Sequence, residues 1–455
     1  MNYKAIGVIG LGYGDEGKGS IIDYLASLFS ETLVIRFCGG HQAAHHVVRD
    51  DTWHCFSQFG SGTFSPTSLT YLHETMLVEP FSLVREYNVL LSKGIADPKP
   101  RLKINESCCI TTPYHKLMGR IGDILHRRGT TGLGVGAAHS DKIHGKMIRI
   151  KDLSDRWYVK ARLAELSVRA LGMLEEVLQK VIDPVMKSRL LELKTWADTV
   201  LNVSHFARLY HKFYQEWRSC FVDSPIVAIS KDCVILFEGA QGILLDPNDG
   251  FAPYVTKTSC VLDEYHPVFD DLCLRKDEVF KIGLMRCYPT RHGPGPFVTE
   301  DSLLKDSIEK DHNKENQWQG PLRVGWFDAV ALEYSLFVSK CDGVVLTHAD
   351  KVWSGVRACT SYRYTGPLDN RLHYYFTNVL DECLSIKQVF SLSDRLERTR
   401  LLERCEPYKW TELPRLNKTT FDSARRDYHL TAPLIGISYG PTRRDKTLDL
   451  GEYYG

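Results

Sequence analysis

The sequence predicts an α/β protein built on a central, mainly parallel β-sheet covered by helices, with a P-loop-like phosphate site near its start and a helical insertion near its middle. Three observations carry the prediction. A short apolar run, Ala5 to Ile9, passes through glycines into a segment with apolar residues at Ile21, Ile22, Tyr24, Leu25 and Leu28, which reads as strand, glycine turn, helix. Further short runs of strand character are Leu33 to Phe37, Val234 to Phe237, Ile282 to Met285, Val344 to Thr347 and Leu434 to Ser438, most of them ending in a Gly, Ser, Thr or Asp cluster. From about Asp152 to Cys220 the pattern turns helical, with Leu163, Leu166, Leu171, Leu174, Leu178 and Val181 close to the 3.6-residue period. Ligands of such a sheet collect at the carboxyl ends of its strands.

With 455 residues, 43% hydrophobic and 25% charged, the chain has the balance of an ordinary globular protein. There is no repeat, low-complexity tract or Pro/Gly/Ser linker, so one compact body over 1–455 is expected, carrying the helical stretch at about 152–220 as an insertion. Lys plus Arg number 57 against 56 Asp plus Glu, which gives no general pull toward nucleic acid or an anionic membrane; anion binding has to be local. The 13 cysteines include no CxxC pair, which suits reduced thiols in a cytoplasm and removes the commonest structural-zinc signature. No run of about 18 apolar residues announces a membrane span, and glycines interrupt the N-terminal apolar run before a signal-peptide core is complete.

Gly12-Tyr13-Gly14-Asp15-Glu16-Gly17-Lys18-Gly19 has the spacing G-x-x-x-x-G-K, with Gly19 where a phosphate loop usually carries Ser or Thr. Glycines let backbone N–H groups turn toward phosphate oxygens, the helix adds its positive N-terminal end, and Lys18 adds a mobile charge. Asp15 is out of place in such a loop unless it binds a cation or acts as a base. The plainer reading is a glycine-rich turn with solvated charges. His41 and His45 have the i, i+4 spacing of some zinc pairs, but they follow Gly39-Gly40 and lack an intervening Glu; structural loop histidines and phosphoryl chemistry are the other readings.

Gly14-Asp15-Glu16-Gly17-Lys18-Gly19, together with Gly39-Gly40-His41-Gln42-Ala43-Ala44-His45, resembles the adenylosuccinate synthetase family, whose second motif runs G-G-H-N-A-G-H. Matches continue in the family's order through Gly129-Thr130-Thr131-Gly132, Phe237-Glu238-Gly239-Ala240-Gln241-Gly242, Pro253-Tyr254-Val255-Thr256, Gly295-Pro296-Phe297, Val324-Gly325-Trp326-Phe327-Asp328 and Ile437-Ser438-Tyr439-Gly440-Pro441. The resemblance implies a two-step ligase: the γ-phosphate of GTP goes to O6 of IMP, and the amine of aspartate then displaces it. It implies Asp15 as base toward N1 and as a contact of Mg²⁺, His45 as acid, and Lys18 on the phosphates, with Gly14, Glu16, Gly17, Gly19 and His46 completing the triphosphate side. Gln42, Thr131, Gln241 and Thr256 correspond to purine-nucleotide contacts, and the carbonyl of Ala44 to a second Mg²⁺ contact. Asp350, in Leu346-Thr347-His348-Ala349-Asp350, stands where the family reads guanine through T-K-x-D, with Ser438, Gly440 and Pro441 closing the other side; a strand-end cap is the plainer reading. The family forms homodimers, so a homodimer is expected.

The departures cluster on the second step. Family G-T-T-G-R is here Gly132-Leu133, an arginine-rich aspartate loop is Trp318-Gln319-Gly320-Pro321-Leu322-Arg323, and the arginine that reaches the partner subunit is Gly145, beside Lys146. A dicarboxylate calls for fixed positive charge. Either Arg323, Lys146 and Arg291 supply it by another geometry, or the amine is not aspartate, or the nucleotide is a guanine type such as dGMP. His348 in place of the family Lys leaves ATP open as donor. A catalytically silent nucleotide-binding regulator fits the same losses, but retention of Asp15, Lys18 and His45 speaks for an enzyme.

Overall fold

A computed structural model describes residues 3–126, 129–224, 230, 232–307, 318–351, 356–367, 369–428 and 430–451. All the predicted apolar runs fall in a single sheet, ten-stranded among the described residues. From edge to edge its order is Lys446–Leu448, Leu434–Ser438, Gly343–Thr347, Val279–Arg286, β1 (Ala5–Gly10), Val234–Gly242, β2 (Thr32–Arg36), Ser68–Leu72, Leu102–Asn105 and Phe221–Val222. Every neighbouring pair is parallel except the edge pair of Leu434–Ser438 with Lys446–Leu448.

Burial on both faces explains why these strands read as continuous apolar runs. Ala5 and Ile9 point into a core shared with Leu33, Ile35, Phe237 and Val344. Ile6 and Val8 point the other way, onto Ile21, Ile22 and Leu25 of helix α1 (Lys18–Leu28). Because β1 is central and parallel to both neighbours, the loop leaving its carboxyl end sits at the middle of the ligand-binding edge.

The helical stretch forms Arg156–Lys180, Pro184–Val200 and Val203–Trp217. Asp155, Asp183 and Asn202 begin these helices, each side chain accepting a first-turn N–H, and Pro184 takes the first-turn position where no N–H is needed. Leu163 and Leu166 join Leu190, Phe206 and Tyr210 in a second core against Leu83, Leu117 and Ile121 of helices Pro80–Ser92 and Pro113–His126. Among the described residues no helix is long and apolar enough to cross a membrane.

The sequence reading did not anticipate a smaller sheet of Phe327–Asp328, Val356–Tyr364, Phe376–Val379, Glu382–Ile386 and Cys405–Leu413, which is antiparallel apart from its first pair. Cys405–Leu413 remains mostly exposed and carries Glu406, Lys409 and Glu412, so it shows no apolar run. Only pairing with Val356–Tyr364 makes it a strand.

Candidate active site

The loop between β1 and α1 turns through Gly14 (φ 112°) and Gly17 (φ 83°), left-handed positions that favour glycine. The sequence reading aims the loop's N–H groups and Lys18 at phosphate; in the structure they meet Glu16. Its Oε1 accepts from the N–H of Gly12 (3.0 Å) and Gly14 (2.6 Å), and its Oε2 from Lys18 Nζ (2.7 Å). Lys18 also donates to the Gly14 carbonyl at 2.7 Å. A Cβ on Gly12 would come within 2.9 Å of Glu16, so this glycine makes room for the carboxylate as well as for the turn.

Asp15 lies one-third exposed at the rim of this loop, Oδ2 3.4 Å from His292 Nε2. Arg286 donates from Nη1 to the Asp15 carbonyl (3.3 Å). The surrounding protein disfavours the Asp15 charge, but His292, Arg286 and Lys18 outweigh it and hold the carboxyl below its ordinary value. Asp15 is therefore ionised near neutrality. A narrow crevice lined by Gly12, Tyr13, Arg286 and Thr290 lies beside it.

His45 starts the strand His45–Arg49 and is buried, with Nδ1 on the carboxylate of Glu238. Glu238 is fully buried and also accepts from the N–H (3.0 Å) and the hydroxyl of Ser61. Arg36, its cross-strand neighbour, is fully buried too. Burial works against the Glu238 charge, but Arg36, His45 and Ser61 bring its carboxyl down to about 2. Burial pushes the His45 imidazolium down to about 4 against the pull of Glu238. An ionised carboxylate only accepts, so Nδ1 carries the His45 hydrogen and Nε2 is left for another partner. Here too lies the reason for Gly19: a Cβ there would sit 2.6 Å from the Cβ of His45 and 2.8 Å from Ser61 Oγ. The Ser or Thr of an ordinary phosphate loop does not fit against this histidine.

The remaining predicted residues fall in two groups. Gln241 packs its backbone on Gly14 and is itself left-handed (φ 63°), a strained conformation of the kind that concentrates at functional sites. The Gln42 amide lies against Gly39, His46 stacks on Trp53 with ring centroids 5.8 Å apart, and Ala44 is exposed. His348 approaches Gly17, and Thr347 donates to the Glu16 carbonyl at 2.9 Å. Asp350 is half-buried in the turn after Gly343–Thr347, 3.8 Å from Lys351, and burial raises its carboxyl above the ordinary value. Ser438 donates to the Gly440 carbonyl (3.1 Å), and Ser20 of α1 donates to that of Pro441 (3.3 Å). Arg443 pairs with buried Asp23 of α1 through two 2.6 Å bonds, which ties this end of the chain to the phosphate-loop helix.

Thr131 and Thr256 lie in loops of their own. The Gly129–Gly132 turn packs on Pro294 and Trp318, and the Thr256 N–H donates to the Leu245 carbonyl at 2.7 Å. Beside Gly129 opens a cleft of about 530 Å³, lined also by Arg189, Pro294, Trp318 and Arg323. The three cations offered as carboxylate holders are engaged or remote. Arg323 pairs with Glu300 and donates to the Gly295 carbonyl (2.8 Å); Arg291 is buried, donating to the carbonyls of Pro294 (3.1 Å) and Pro296 (2.7 Å); Lys146 is exposed beyond the turn at Gly145.

Glu238, Ser61, Arg286 and His292 took no role in the sequence reading. A glutamate closing the apolar run Val234 to Phe237 was a readable signal, since a charge at the carboxyl end of a buried parallel strand needs a reason. His292 stands in no pattern that marks it.

A family model for adenylosuccinate synthetase matches residues 7–445, nearly the whole chain. The chain belongs to the adenylosuccinate synthetase family. These enzymes are ligases that form a C–N bond at the expense of a nucleoside triphosphate. The adenylosuccinate synthetase of Brevibacillus brevis is 34% identical over 376 residues, covering 79% of this chain and 81% of the relative. Among solved structures, the adenylosuccinate synthetase of Plasmodium falciparum superposes with a TM-score of 0.75 at 20% identity, over 98% of this chain and 100% of its own. The succinoaminodeoxyadenylate synthetase of cyanophage S-2L, solved with dGMP and with dATP as an energy donor, gives a TM-score of 0.56 at 16% identity, over 98% and 96%.

Proposed function

We propose that this ligase transfers the γ-phosphoryl of GTP to O6 of IMP and lets the amine of L-aspartate displace the phosphate, giving an N6-succinyl purine nucleotide. The observation that carries the reading is the His45–Glu238 pair packed against Gly19, on the helix that begins with Lys18, with ionised Asp15 on the preceding loop. Asp15 takes the N1 proton of the purine, which makes O6 nucleophilic. His45 must be protonated to donate from Nε2, because Nδ1–H is committed to Glu238; the anionic phosphoryl group and Glu238 together favour that form. Its donated bond stabilises charge on the transferring group. Lys18 exchanges Glu16 for phosphate.

Mg²⁺ suits the hard oxygens available, the Asp15 carboxylate and the Ala44 carbonyl. Phosphate oxygens and water would supply the remaining positions around such an ion. It neutralises phosphate charge when bound. Gln42, Gln241, Thr131 and Thr256 hold the nucleotide substrate; Gly14, Glu16, Gly17, Gly19, His46, Asp350, Ser438, Gly440 and Pro441 hold the triphosphate; Arg323 belongs to the amino-acid side. The protein acts in the cytoplasm as a homodimer, one synthetase-like unit per chain with the helices of 152–220 inserted.

A second reading is favoured by the engagement of Arg323 with Glu300 and by the fold shared with the phage protein solved with dGMP and dATP. In it the same chemistry acts on a guanine-type nucleotide, with ATP as donor or with another amine. A matrix of IMP, dIMP, GMP and dGMP against GTP and ATP, with Mg²⁺ and with or without aspartate, decides by mass spectrometry. A succinyl adduct of IMP is expected. An adduct on guanine nucleotides alone selects the second reading, and no adduct or phosphate release in any combination removes the ligase.

A further inference from the structure

We infer that His292 is a positioning residue for Asp15, holding one carboxylate oxygen so that the other faces the reacting purine. The inference rests on the reading of Asp15 as the base.

The main chain of Asp15 is well fixed. Glu16 gathers the N–H groups of Gly12 and Gly14, Thr347 holds the Glu16 carbonyl at 2.9 Å, and Arg286 holds that of Asp15 at 3.3 Å. None of these bonds sets the rotation of the carboxylate, which is one-third exposed. His292 Nε2 lies 3.4 Å from Oδ2, with only 12% of the imidazole side chain exposed. This is a long contact of the kind that tightens when substrate arrives.

His292 is itself held against the loop by its neighbour. It ends the short strand Thr290–His292, opposite Leu322. Arg291, one residue earlier, lies 4.4 Å from the ring of Tyr13 and donates to Pro296, whose carbonyl also accepts from the Tyr13 hydroxyl at 3.1 Å. Tyr13 belongs to the phosphate loop, so Arg291 fastens the strand to the loop two residues from Asp15. The Asp15 carboxylate only accepts, so the contact needs a hydrogen on Nε2, while Nδ1 is buried with no hydrogen-bond partner among the described residues.

Partners that orient a working carboxylate are typically worth about 10–100-fold in activity. The test uses full-length His292→Leu, His292→Gln and Asp15→Asn, each verified as folded by circular dichroism. The phosphoryl step is read alone, by scrambling of an isotopic label in the β–γ bridge oxygen of GTP with IMP and Mg²⁺ and no aspartate. Steady-state kcat and KM with aspartate accompany it. His292→Leu should slow scrambling and kcat about 10–100-fold with KM for IMP nearly unchanged, while His292→Gln, whose amide still donates, should recover most of the loss. If His292→Leu folds poorly, His292→Phe, which keeps a planar ring without a donor, replaces it. Scrambling within twofold of wild type in the donor-less variant, with Asp15→Asn inactive, overturns the inference and leaves the base intact. Equal loss in the Gln variant also overturns it, assigning His292 to packing. Scrambling that persists in Asp15→Asn removes the base and the inference together.

Discussion

Replacing Glu238 by glutamine keeps the shape of the side chain and takes away its charge. In the wild type that charge faces His45 and, across the strand pair, Arg36. Two unit charges about 4 Å apart attract by about 4 kcal/mol at an effective dielectric constant near 20, which corresponds to about 3 pKa units. His45 is already pushed down by burial to about 4, so its protonated form depends on this carboxylate and on bound substrate. Glu238→Gln should therefore lower kcat and the isolated phosphoryl step by about 10²–10³ while leaving KM for IMP near its wild-type value. Stability responds as well. Arg36 is fully buried and its Nε and Nη2 have no hydrogen-bond partner among the described residues, so losing the opposing charge should cost about 3 kcal/mol. The assay is isotope scrambling together with a thermal melt, run at a temperature where both proteins are folded. A Glu238→Gln enzyme within tenfold of wild type would show that His45 works without its buried carboxylate, and the proposed acid would have to be sought elsewhere.

Three further outcomes follow from the site. Gly19→Ser restores the usual phosphate-loop residue but drives its Cβ into His45, so it should destabilise the protein by about 1–3 kcal/mol and depress turnover; a fully active Gly19→Ser enzyme contradicts the packing of 2.6 Å. Asp350→Asn should reduce the preference for GTP over ATP, measured as the ratio of kcat/KM values, and an unchanged ratio clears Asp350 of that role. His41 and His73 are buried and pushed down to about 4, so below the ordinary histidine pKa near 6.5 the unfolded chain takes up protons that the folded one refuses. Stability should fall as pH drops from 6.5 toward 4, by up to about 3 kcal/mol per histidine, and His73→Asn should flatten the Tm profile over that range. A profile unchanged by that substitution would show that His73 titrates normally.

Much of the fold was legible because its signals are local. Each buried parallel strand is a short apolar run, and the order strand, glycines, helix around Asp15 is written within 24 residues, Ala5 to Leu28. The exposed strand Cys405–Leu413 was hidden, since its pairing lies about 50 residues back, in Val356–Tyr364. The same division runs through the site. Asp15, Lys18 and His45 stand in compact motifs, where residue type marks the loop and the family resemblance suggests a role for each. Glu238 and His292 meet His45 and Asp15 only because the chain folds back across 193 and 277 positions.

By itself, then, the sequence determined the parallel sheet, the helical segment and the glycine loop between the first strand and helix. Tertiary structure decided what the site residues touch. It decided that Glu16 meets the loop N–H groups, that Gly19 makes room for His45, and that Arg323 faces Glu300. The physical reason is range: backbone preference and hydrophobic period act over a few neighbouring residues, whereas hydrogen bonds, charge pairs and steric fit act over a few ångströms between segments whose separation along the chain leaves no trace in local pattern.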